Sequence, residues 1–206
     1  MEKKTGLYRF AQIVVPLIFK LLYWYKVVGR DKVPETGAVL MCCNHSAYKD
    51  PLLLGLTQKR QIHFMAKREL FENKFLGFLV RKLGVFPVER SGGMAGIKKA
   101  IEVLKSNKVV GIFIEGTRSK TGELLKPKPG VAMLAYDSKA VIVPVAIVGK
   151  NGKPPRLFTK TIVNVGDPIP FEELNMADNS SLEMRKASRL IMEKIKDLRE
   201  EILNKQ

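Results

Sequence analysis

The stretch AVLMCCNHSAYKDP, residues 38–51, does most to decide the fold, because it joins an apolar run to a polar turn. Its first six residues are apolar without interruption, which is typical of a buried strand. His45 and Asp50 follow, five positions apart, a spacing that does not bring two side chains to one face of a helix. An aspartate directly before a proline is typical of a helix start. We therefore predict a turn that ends with Asp50 as the N-cap of a helix.

A turn between His45 and Asp50 would let the carboxylate accept a hydrogen bond from the imidazole. Such a pair is a general base together with the group that orients it. A structural interpretation is equally open from this stretch alone. In that interpretation Asp50 only caps a helix and His45 is a polar residue at the end of a strand.

Strand and helix patterns alternate over the rest of the chain. This alternation predicts an α/β fold, a single domain whose largely parallel, mixed sheet is flanked by helices. Pro144 lies within a strand pattern and indicates an edge strand or a bulge, and Ser180 with Glu183 has the spacing of a capping box. Strands are predicted at 38–43, 62–66, 84–88, 109–114, 141–148 and 160–165, and helices near 51–58, 69–83, 94–106, 129–138 and 181–204.

Charged side chains follow four of the predicted strands. They are His45 with Asp50, then Lys67, Arg90 and the run Glu115-Gly116-Thr117-Arg118. Because ligands of open α/β sheets bind at the carboxyl ends of the strands, we expect these groups to lie close together. Any one cation is compatible with an ordinary surface position in so basic a chain, but several of them beside a histidine predict an anion-binding site.

The run from Glu115 to Arg118 suits contact with a phosphate. Gly116 lets the backbone approach a ligand or adopt a positive φ, Thr117 adds a hydroxyl, and the guanidinium of Arg118 can donate two hydrogen bonds to one phosphate. We interpret Glu115 as orienting that guanidinium or capping the turn. The alternative for the whole run is a tight turn with an exposed ion pair, which contributes little energy.

The net charge of +16 predicts an anionic partner: nucleic acid, anionic lipid or an acidic carrier protein. A nucleic-acid-binding module would interleave aromatic residues with its Lys and Arg. Here the aromatic residues gather in 8–25 and 64–86 beside apolar neighbours, so we expect no nucleic-acid partner.

The cysteines and histidines predict neither a disulfide nor a metal site. Cys42 and Cys43 are adjacent on a predicted strand, where neighbours point to opposite faces, so they are interpreted as small buried hydrophobes in a reducing compartment. His45 and His63 have no cysteine or acidic cluster at ligand spacing.

Residues 1–30 differ in character from residues 31–206, which we predict to be the α/β domain. An apolar stripe at spacings of three and four indicates an amphipathic helix. Its longest uncharged run, Phe10 to Phe19, spans roughly 15 Å of helix against about 30 Å of hydrocarbon. At the centre of a membrane-spanning helix, Lys20 would raise the free energy of insertion by about 3 kcal/mol. The stripe comprises Leu7, Phe10, Val14, Leu17, Ile18, Leu21, Leu22 and Tyr25.

We therefore predict that this helix, bent at Pro16, lies in the interface of an anionic membrane and anchors the protein there. The expected location is the cytoplasmic face of the cell membrane, as a peripheral or monotopic protein. The alternative is an N-terminal helix packed on the core.

A second group of apolar residues has helical spacing between residues 71 and 79. We favour the core-facing side of an ordinary helix for it, with a membrane-facing or acyl-chain-lining surface as the alternative. The group comprises Phe71, Phe75, Leu76, Phe78 and Leu79, with Lys74, Arg81 and Lys82 nearby.

These motifs and their order resemble the glycerolipid acyltransferase family, and in particular its 1-acylglycerol-3-phosphate acyltransferases. The resemblance covers about residues 38–148, and four motifs in this order are a specific signal. The matching segments are residues 44–50, which carry the His-x4-Asp pattern, 66–71 with 84–90, 113–119 and 143–146.

The sequence departs from the family's pattern at three positions. Ile114 stands where the family usually has proline, Ser46 follows the histidine directly rather than one residue later, and Glu89 replaces the commoner aspartate before Arg90. None of these departures falls on the histidine or the aspartate of the first motif.

The resemblance implies an enzyme that moves a fatty acyl group from a thioester to the sn-2 hydroxyl of 1-acyl-sn-glycerol-3-phosphate (lysophosphatidic acid), forming phosphatidic acid in phospholipid biosynthesis. The thioester, acyl-CoA or acyl carrier protein, would be a co-substrate, and no cofactor is expected. His45 would be the base and Asp50 its support, and cations would place the acceptor's phosphate. The residues expected to bind substrate are Lys67, Arg90, Glu115, Gly116, Thr117 and Arg118.

Two other reactions stay open from the sequence. One is an acyl transfer by the same fold to another lysolipid or to glycerol-3-phosphate. The other is a thioesterase, in which water replaces the alcohol, although the group of cations beside the base would then have no explanation.

Overall fold

Seven strands form a single sheet in the computed structural model, which describes residues 6–88 and 94–205. The sheet order is β1-β7-β6-β2-β5-β3-β4, and neighbouring strands run parallel except for β6 and β7. The predicted α/β domain with a largely parallel, mixed sheet is confirmed. The strands are β1 (Tyr25–Val28), β2 (Val39–Cys43), β3 (Ile62–Lys67), β4 (Val85–Val88), β5 (Val109–Phe113), β6 (Val141–Gly149) and β7 (Thr161–Val165).

Helices within the described residues cover both faces of the sheet. One apolar cluster packs α4, α5 and α6 on the sheet, and the other contains Phe19 of α1 with Leu53 and Leu54 of α2. The predicted cap of α6 is confirmed, since the Ser180 hydroxyl accepts a hydrogen bond from the Glu183 N–H. The helices are α1 (Gly6–Tyr23), α2 (Asp50–Gly55), α3 (Lys74–Lys82), α4 (Met94–Lys105), α5 (Gly130–Ser138) and α6 (Ser181–Leu203).

Strand β2 lies at the centre of the sheet and is buried along its whole length. Its residues are continuously apolar because a parallel sheet has helices on both faces. Leu40 and Cys42 face the cluster of α4, α5 and α6, and Cys43 faces the cluster of α1 and α2. Burial raises the pKa of both cysteine thiols, in agreement with their prediction as small buried hydrophobes.

The topology brings the predicted site residues to one edge of the sheet. Strands β2, β5, β3 and β4 are consecutive neighbours and all run parallel. In the register Cys43 lies beside Phe113, and Lys67 lies beside Val88. Whatever follows these four strands therefore emerges at the same carboxyl edge.

Strand β1 was not predicted. Residues near Tyr25 were assigned to an amphipathic helix, but the helix ends at Tyr23, Trp24 adopts a φ of +39°, and Tyr25–Val28 pairs parallel to β7. Four residues at the edge of a sheet are too few to show a period of their own, and the apolar stripe before them masks the change.

The prediction of an edge strand at Pro144 was wrong, because β6 lies between β2 and β7. The alternative of a bulge agrees with the pairing: Val145 pairs with Val165 and Ile142 with Ile169, so three steps along β6 face four along its partner. The register with β7 begins only at Val145, so Pro144 stands where that ladder ends. The Gly166 N–H donates to the Pro144 carbonyl at 2.9 Å, in the irregular stretch between these two pairs.

Candidate active site

His45 and Asp50 meet across a tight turn at the end of β2. The imidazole Nδ1 lies 2.9 Å from the Asp50 Oδ2, and the carboxylate is fully buried. Because an ionised carboxylate only accepts hydrogen bonds, Nδ1 carries the proton and Nε2 is left as an acceptor. The predicted contact between the two side chains is confirmed.

The same carboxylate oxygen also shapes the turn. It accepts hydrogen bonds from the N–H groups of Ser46 and Ala47, each at 2.7 Å. The prediction of Asp50 as an N-cap was wrong, since Lys49 occupies the cap position and Asp50 is the first residue of α2. Its side chain folds back onto the preceding turn, where three donors converge on one oxygen. The other oxygen, Oδ1, is buried with no partner among the described residues.

The His45 ring stacks on Phe113, the last residue of β5. The ring centroids lie 4.0 Å apart with an interplanar angle of 19°, and the Phe64 ring stacks with that of Phe113 at a centroid distance of 6.2 Å. A hydrogen bond at one edge and an aromatic face below thus fix the plane of the imidazole.

Gly111 makes room for this aromatic layer. A Cβ at that position would lie 2.4 Å from Cε1 of Phe64, so a side chain there would displace the phenyl ring. Sequence reasoning missed both phenylalanines, although an isolated glycine inside a strand pattern is a sign of close approach.

Glu115 supports the backbone of the site. Its carboxylate is buried, Oε1 accepts from the His45 N–H at 2.8 Å, and Oε2 accepts from the Leu125 N–H at 3.0 Å. Burial raises the pKa of the Glu115 carboxyl, and the two N–H donors act in the opposite direction. These two bonds agree with the interpretation of Glu115 as capping the turn, and its role in substrate binding stays a prediction.

Arg118 lies over the His45–Asp50 turn. The Cζ of its guanidinium is 3.4 Å from the centroid of the Tyr48 ring, and Tyr48 itself is 84% exposed. Cation–π contacts of this kind favour a fixed position for the cation. Sequence reasoning missed Tyr48, whose only signal is an aromatic residue in the middle of a polar turn.

Of the other predicted residues, Gly116 and Thr117 follow β5 and Lys67 ends β3. Gly116 and Thr117 are exposed. Gly116 adopts a φ of +69°, a conformation that glycine tolerates without steric cost. Lys67 is exposed at the end of β3, on the same edge of the sheet. Arg90 lies outside the described residues. Within the described chain, no three His, Cys, Asp or Glu side chains are grouped as metal ligands would be.

Helix α1 packs on the domain with one face and exposes an apolar stripe on the other. Two hydrogen bonds attach its inner face to the domain. The Tyr8 hydroxyl donates to the Arg60 carbonyl, and the Tyr23 hydroxyl accepts from the Lys49 ammonium. By length and composition this helix of 18 residues, with a mean hydropathy of 1.3, qualifies as a membrane-spanning candidate. The outer residues are between 62% and 71% exposed: Phe10, Ile13, Leu17 and Leu21.

Comparison with known proteins places these motifs in a family. Residues 25–148 match the family model described as Acyltransferase. A 1-acyl-sn-glycerol-3-phosphate acyltransferase of Bacillus subtilis is 34% identical over 97% of this chain and 98% of its own length. One of Streptococcus pneumoniae is 30% identical over 74% of this chain, which spans 58% of that protein.

A solved structure shares the fold. The 1-acyl-sn-glycerophosphate acyltransferase of Thermotoga maritima superposes with a TM-score of 0.74 over 95% of this chain and 78% of its own, at 24% identity. At this identity the superposition supports the fold alone.

Proposed function

The chain belongs to the acyltransferase family, and on that premise we propose that it acylates the sn-2 hydroxyl of 1-acyl-sn-glycerol-3-phosphate to form phosphatidic acid. The observation that carries this proposal is the imidazole of His45, held by a buried carboxylate, with Arg118 stacked on Tyr48 of the same turn. Together they supply a base for an alcohol and a cation for its phosphate.

In the proposed reaction the Nε2 of His45 takes the proton of the acceptor hydroxyl while the oxygen attacks the thioester carbonyl. A C–O bond forms, the C–S bond breaks, and the proton passes from the imidazolium to the departing thiolate. The charge of Asp50 stabilises the imidazolium between these steps. Because a thioester is already activated, no covalent acyl-enzyme is required.

Arg118 is the residue that we assign to the acceptor's phosphate, together with Lys67, Arg90 and the exposed backbone of Gly116 and Thr117. A guanidinium can hold a phosphate through two hydrogen bonds and so place the hydroxyl near the base. Tyr48 acts on the substrate indirectly, by keeping the guanidinium over the turn.

Arg118→Ala is expected to raise the KM for lysophosphatidic acid by about ten- to hundredfold with a smaller change in kcat, as expected for a charged hydrogen bond of roughly 1.5–3 kcal/mol. Tyr48→Ala is expected to raise the same KM about two- to fivefold, since an exposed cation–π contact contributes about 0.5–1 kcal/mol. Tyr48→Phe keeps the ring and should match the wild type.

Steady-state kinetics on the double variant separate this role from general damage. If Tyr48 acts through Arg118, adding Tyr48→Ala to Arg118→Ala should raise KM no further. Additive effects would instead show that Tyr48 acts independently of the guanidinium.

The exposed stripe of α1 supports association with a membrane surface. An apolar face at helical spacing, with Arg9 and Lys20 also exposed, suits an interfacial position, where apolar side chains reach the acyl chains and cations reach the phosphates. We assign the protein to the cytoplasmic face of the cell membrane as a peripheral or monotopic enzyme. The donor is assigned as an acyl thioester, acyl-CoA or acyl carrier protein, both of them anionic and suited to a chain of charge +16.

The test of the function is product analysis with the full chain, lysophosphatidic acid and a labelled thioester, with acyl-CoA and acyl carrier protein compared in parallel. We expect phosphatidic acid to form only when the acceptor is present. Faster acylation of glycerol-3-phosphate would identify the related acyltransferase, and release of free fatty acid regardless of acceptor would identify a thioesterase.

A further inference from the structure

Helix α3 exposes aromatic residues that sequence reasoning assigned to the core. Phe75 is 79% exposed and Phe78 is 59% exposed, and only Gly77 is buried in this helix. The core-facing interpretation of this segment was therefore wrong. We call the group of exposed apolar residues Leu70, Phe75, Leu76 and Phe78 the α3 surface.

The orientation of α3 follows from its glycine. A Cβ on Gly77 would lie 2.9 Å from the carbonyl oxygen of Phe71, so the helix rests on the preceding turn with its glycine side. Asn73 fixes the start of the helix, since its side chain accepts the N–H of Leu76 at 3.0 Å. With Gly77 turned inward, Phe75 is directed to the opposite side of the helix.

Cations accompany these rings, and α3 contains no acidic residue. Lys74, Arg81 and Lys82 are all exposed. The ammonium of Lys82 lies 5.6 Å from the centroid of the Phe78 ring, and the guanidinium of Arg81 lies 5.2 Å from that of Phe71. Aromatic rings interleaved with cations are typical of a surface that meets anionic lipid headgroups.

The connections of the sheet place α3 over the same face as α1. The units β2–α2–β3 and β3–α3–β4 both advance towards the β4 edge, so right-handed crossovers put α2 and α3 on one face. The unit β4–α4–β5 runs back and puts α4 on the other face. Because Phe19 of α1 and Leu53 of α2 share one apolar cluster, the exposed surfaces of α1 and α3 lie on a common side of the domain.

The position of α3 also connects it to the candidate active site. Strand β3 ends at Lys67, and a short connection of residues 68–73 leads into α3. The helix therefore starts from the carboxyl edge of the sheet, where His45 and Arg118 lie. Contact between α3 and a bilayer would hold that edge at the lipid surface, where a lysolipid is presented.

We propose that the α3 surface is a second membrane-binding element, separate from α1 and selective for anionic lipid. Phe75 and Phe78 enter the headgroup region, and Lys74, Arg81 and Lys82 bind lipid phosphates. The proposal rests on the membrane association proposed above and requires nothing of the acyl-transfer chemistry.

The experiment measures partition of the full chain onto vesicles of phosphatidylcholine, with or without phosphatidylglycerol. The variant Phe75→Ser/Phe78→Ser should bind both vesicle types about tenfold more weakly or worse. A triple Gln variant of Lys74, Arg81 and Lys82 should bind anionic vesicles about a hundredfold more weakly, since each cation changes affinity roughly fivefold near an anionic surface. Its binding to phosphatidylcholine alone should be unchanged.

Matched controls lie on α6, which packs on the opposite face. Leu182→Ser removes an apolar side chain that is 62% exposed. A triple Gln variant of Arg185, Arg189 and Lys194 removes the same charge as the α3 variant, from residues that are likewise exposed. Both controls should bind vesicles like the wild type, because their positions face away from the membrane.

A reporter variant provides an independent measurement. Trp24 is the only tryptophan of the chain, so Trp24→Phe/Phe75→Trp carries a single fluorophore on α3. Its emission should shift to shorter wavelength with anionic vesicles and be quenched by brominated lipid.

If the α3 and α6 triple variants lost vesicle binding equally, net charge alone would explain the loss, and the proposal would be overturned. The proposal would also be overturned if the α3 variants kept full vesicle binding but turned over more slowly with acyl carrier protein than with acyl-CoA, because α3 would then be a docking surface for the carrier. Vesicle binding is measured without substrate turnover. If the wild type transferred no acyl group, the proposed reaction would be wrong, but the vesicle measurements would still test the α3 surface.

Discussion

His45→Ala is expected to lower the kcat for phosphatidic acid formation by about 10²–10⁴-fold, the range typical of removing a general base. The imidazole is the one group in the described site with a nitrogen free to accept a proton, since Nδ1 is bonded to Asp50 and Nε2 is not. Its ring is also held in a fixed plane by the stack on Phe113. The KM for lysophosphatidic acid should change little, because the phosphate contacts are made elsewhere.

The matched control is the other histidine. His63 is the second residue of β3, at the amino end of the strand, with Nδ1 3.2 Å from the Val109 carbonyl oxygen. His63→Ala should therefore keep the kcat of the wild type in the same labelled assay. Wild-type turnover by His45→Ala, with His63→Ala impaired, would remove the base assignment altogether.

The sequence was sufficient to predict the elements whose pattern is local. The apolar run of β2 and the alternation of strands and helices predicted the parallel sheet. The rule that ligands bind at strand ends predicted that His45, Asp50 and Arg118 lie at one edge of it. These predictions work because a strand buried on both faces leaves few polar positions before its end, so a histidine there is conspicuous.

The sequence could not predict contacts that depend on the path of the backbone. Glu115 and Asp50 were both recognised as important, but the peptide N–H groups that both of them bind carry no sequence signal. The stack of His45 on Phe113 depends on the register between β2 and β5, which a single chain does not reveal. In α3 the hydrophobic period is the same whether the apolar face meets a core or a membrane, and only the close contact at Gly77 decides which side is exposed.

Asp50 serves two purposes that a single substitution can separate. Its carboxylate shapes the turn by accepting the N–H groups of Ser46 and Ala47, and its charge stabilises the protonated imidazole. All the recorded bonds use Oδ2, while Oδ1 has no partner among the described residues. An asparagine can therefore place its amide oxygen at the Oδ2 position and keep every one of these bonds.

Asp50→Asn is accordingly expected to preserve the turn and lose the charge. The kcat should fall by roughly 10²–10⁴-fold, because the imidazolium formed during transfer loses its counter-charge in a buried site. The free energy of unfolding should fall by about 1–3 kcal/mol, the cost of burying the unpaired amide N–H₂ at the Oδ1 position. Asp50→Ala removes the acceptor of three donors and should unfold more readily than Asp50→Asn, which denaturant unfolding can measure beside the kinetics. If Asp50→Asn kept the wild-type kcat while Asp50→Ala lost both activity and stability, the carboxylate would be a shaping group only, and His45 would work without an electrostatic partner.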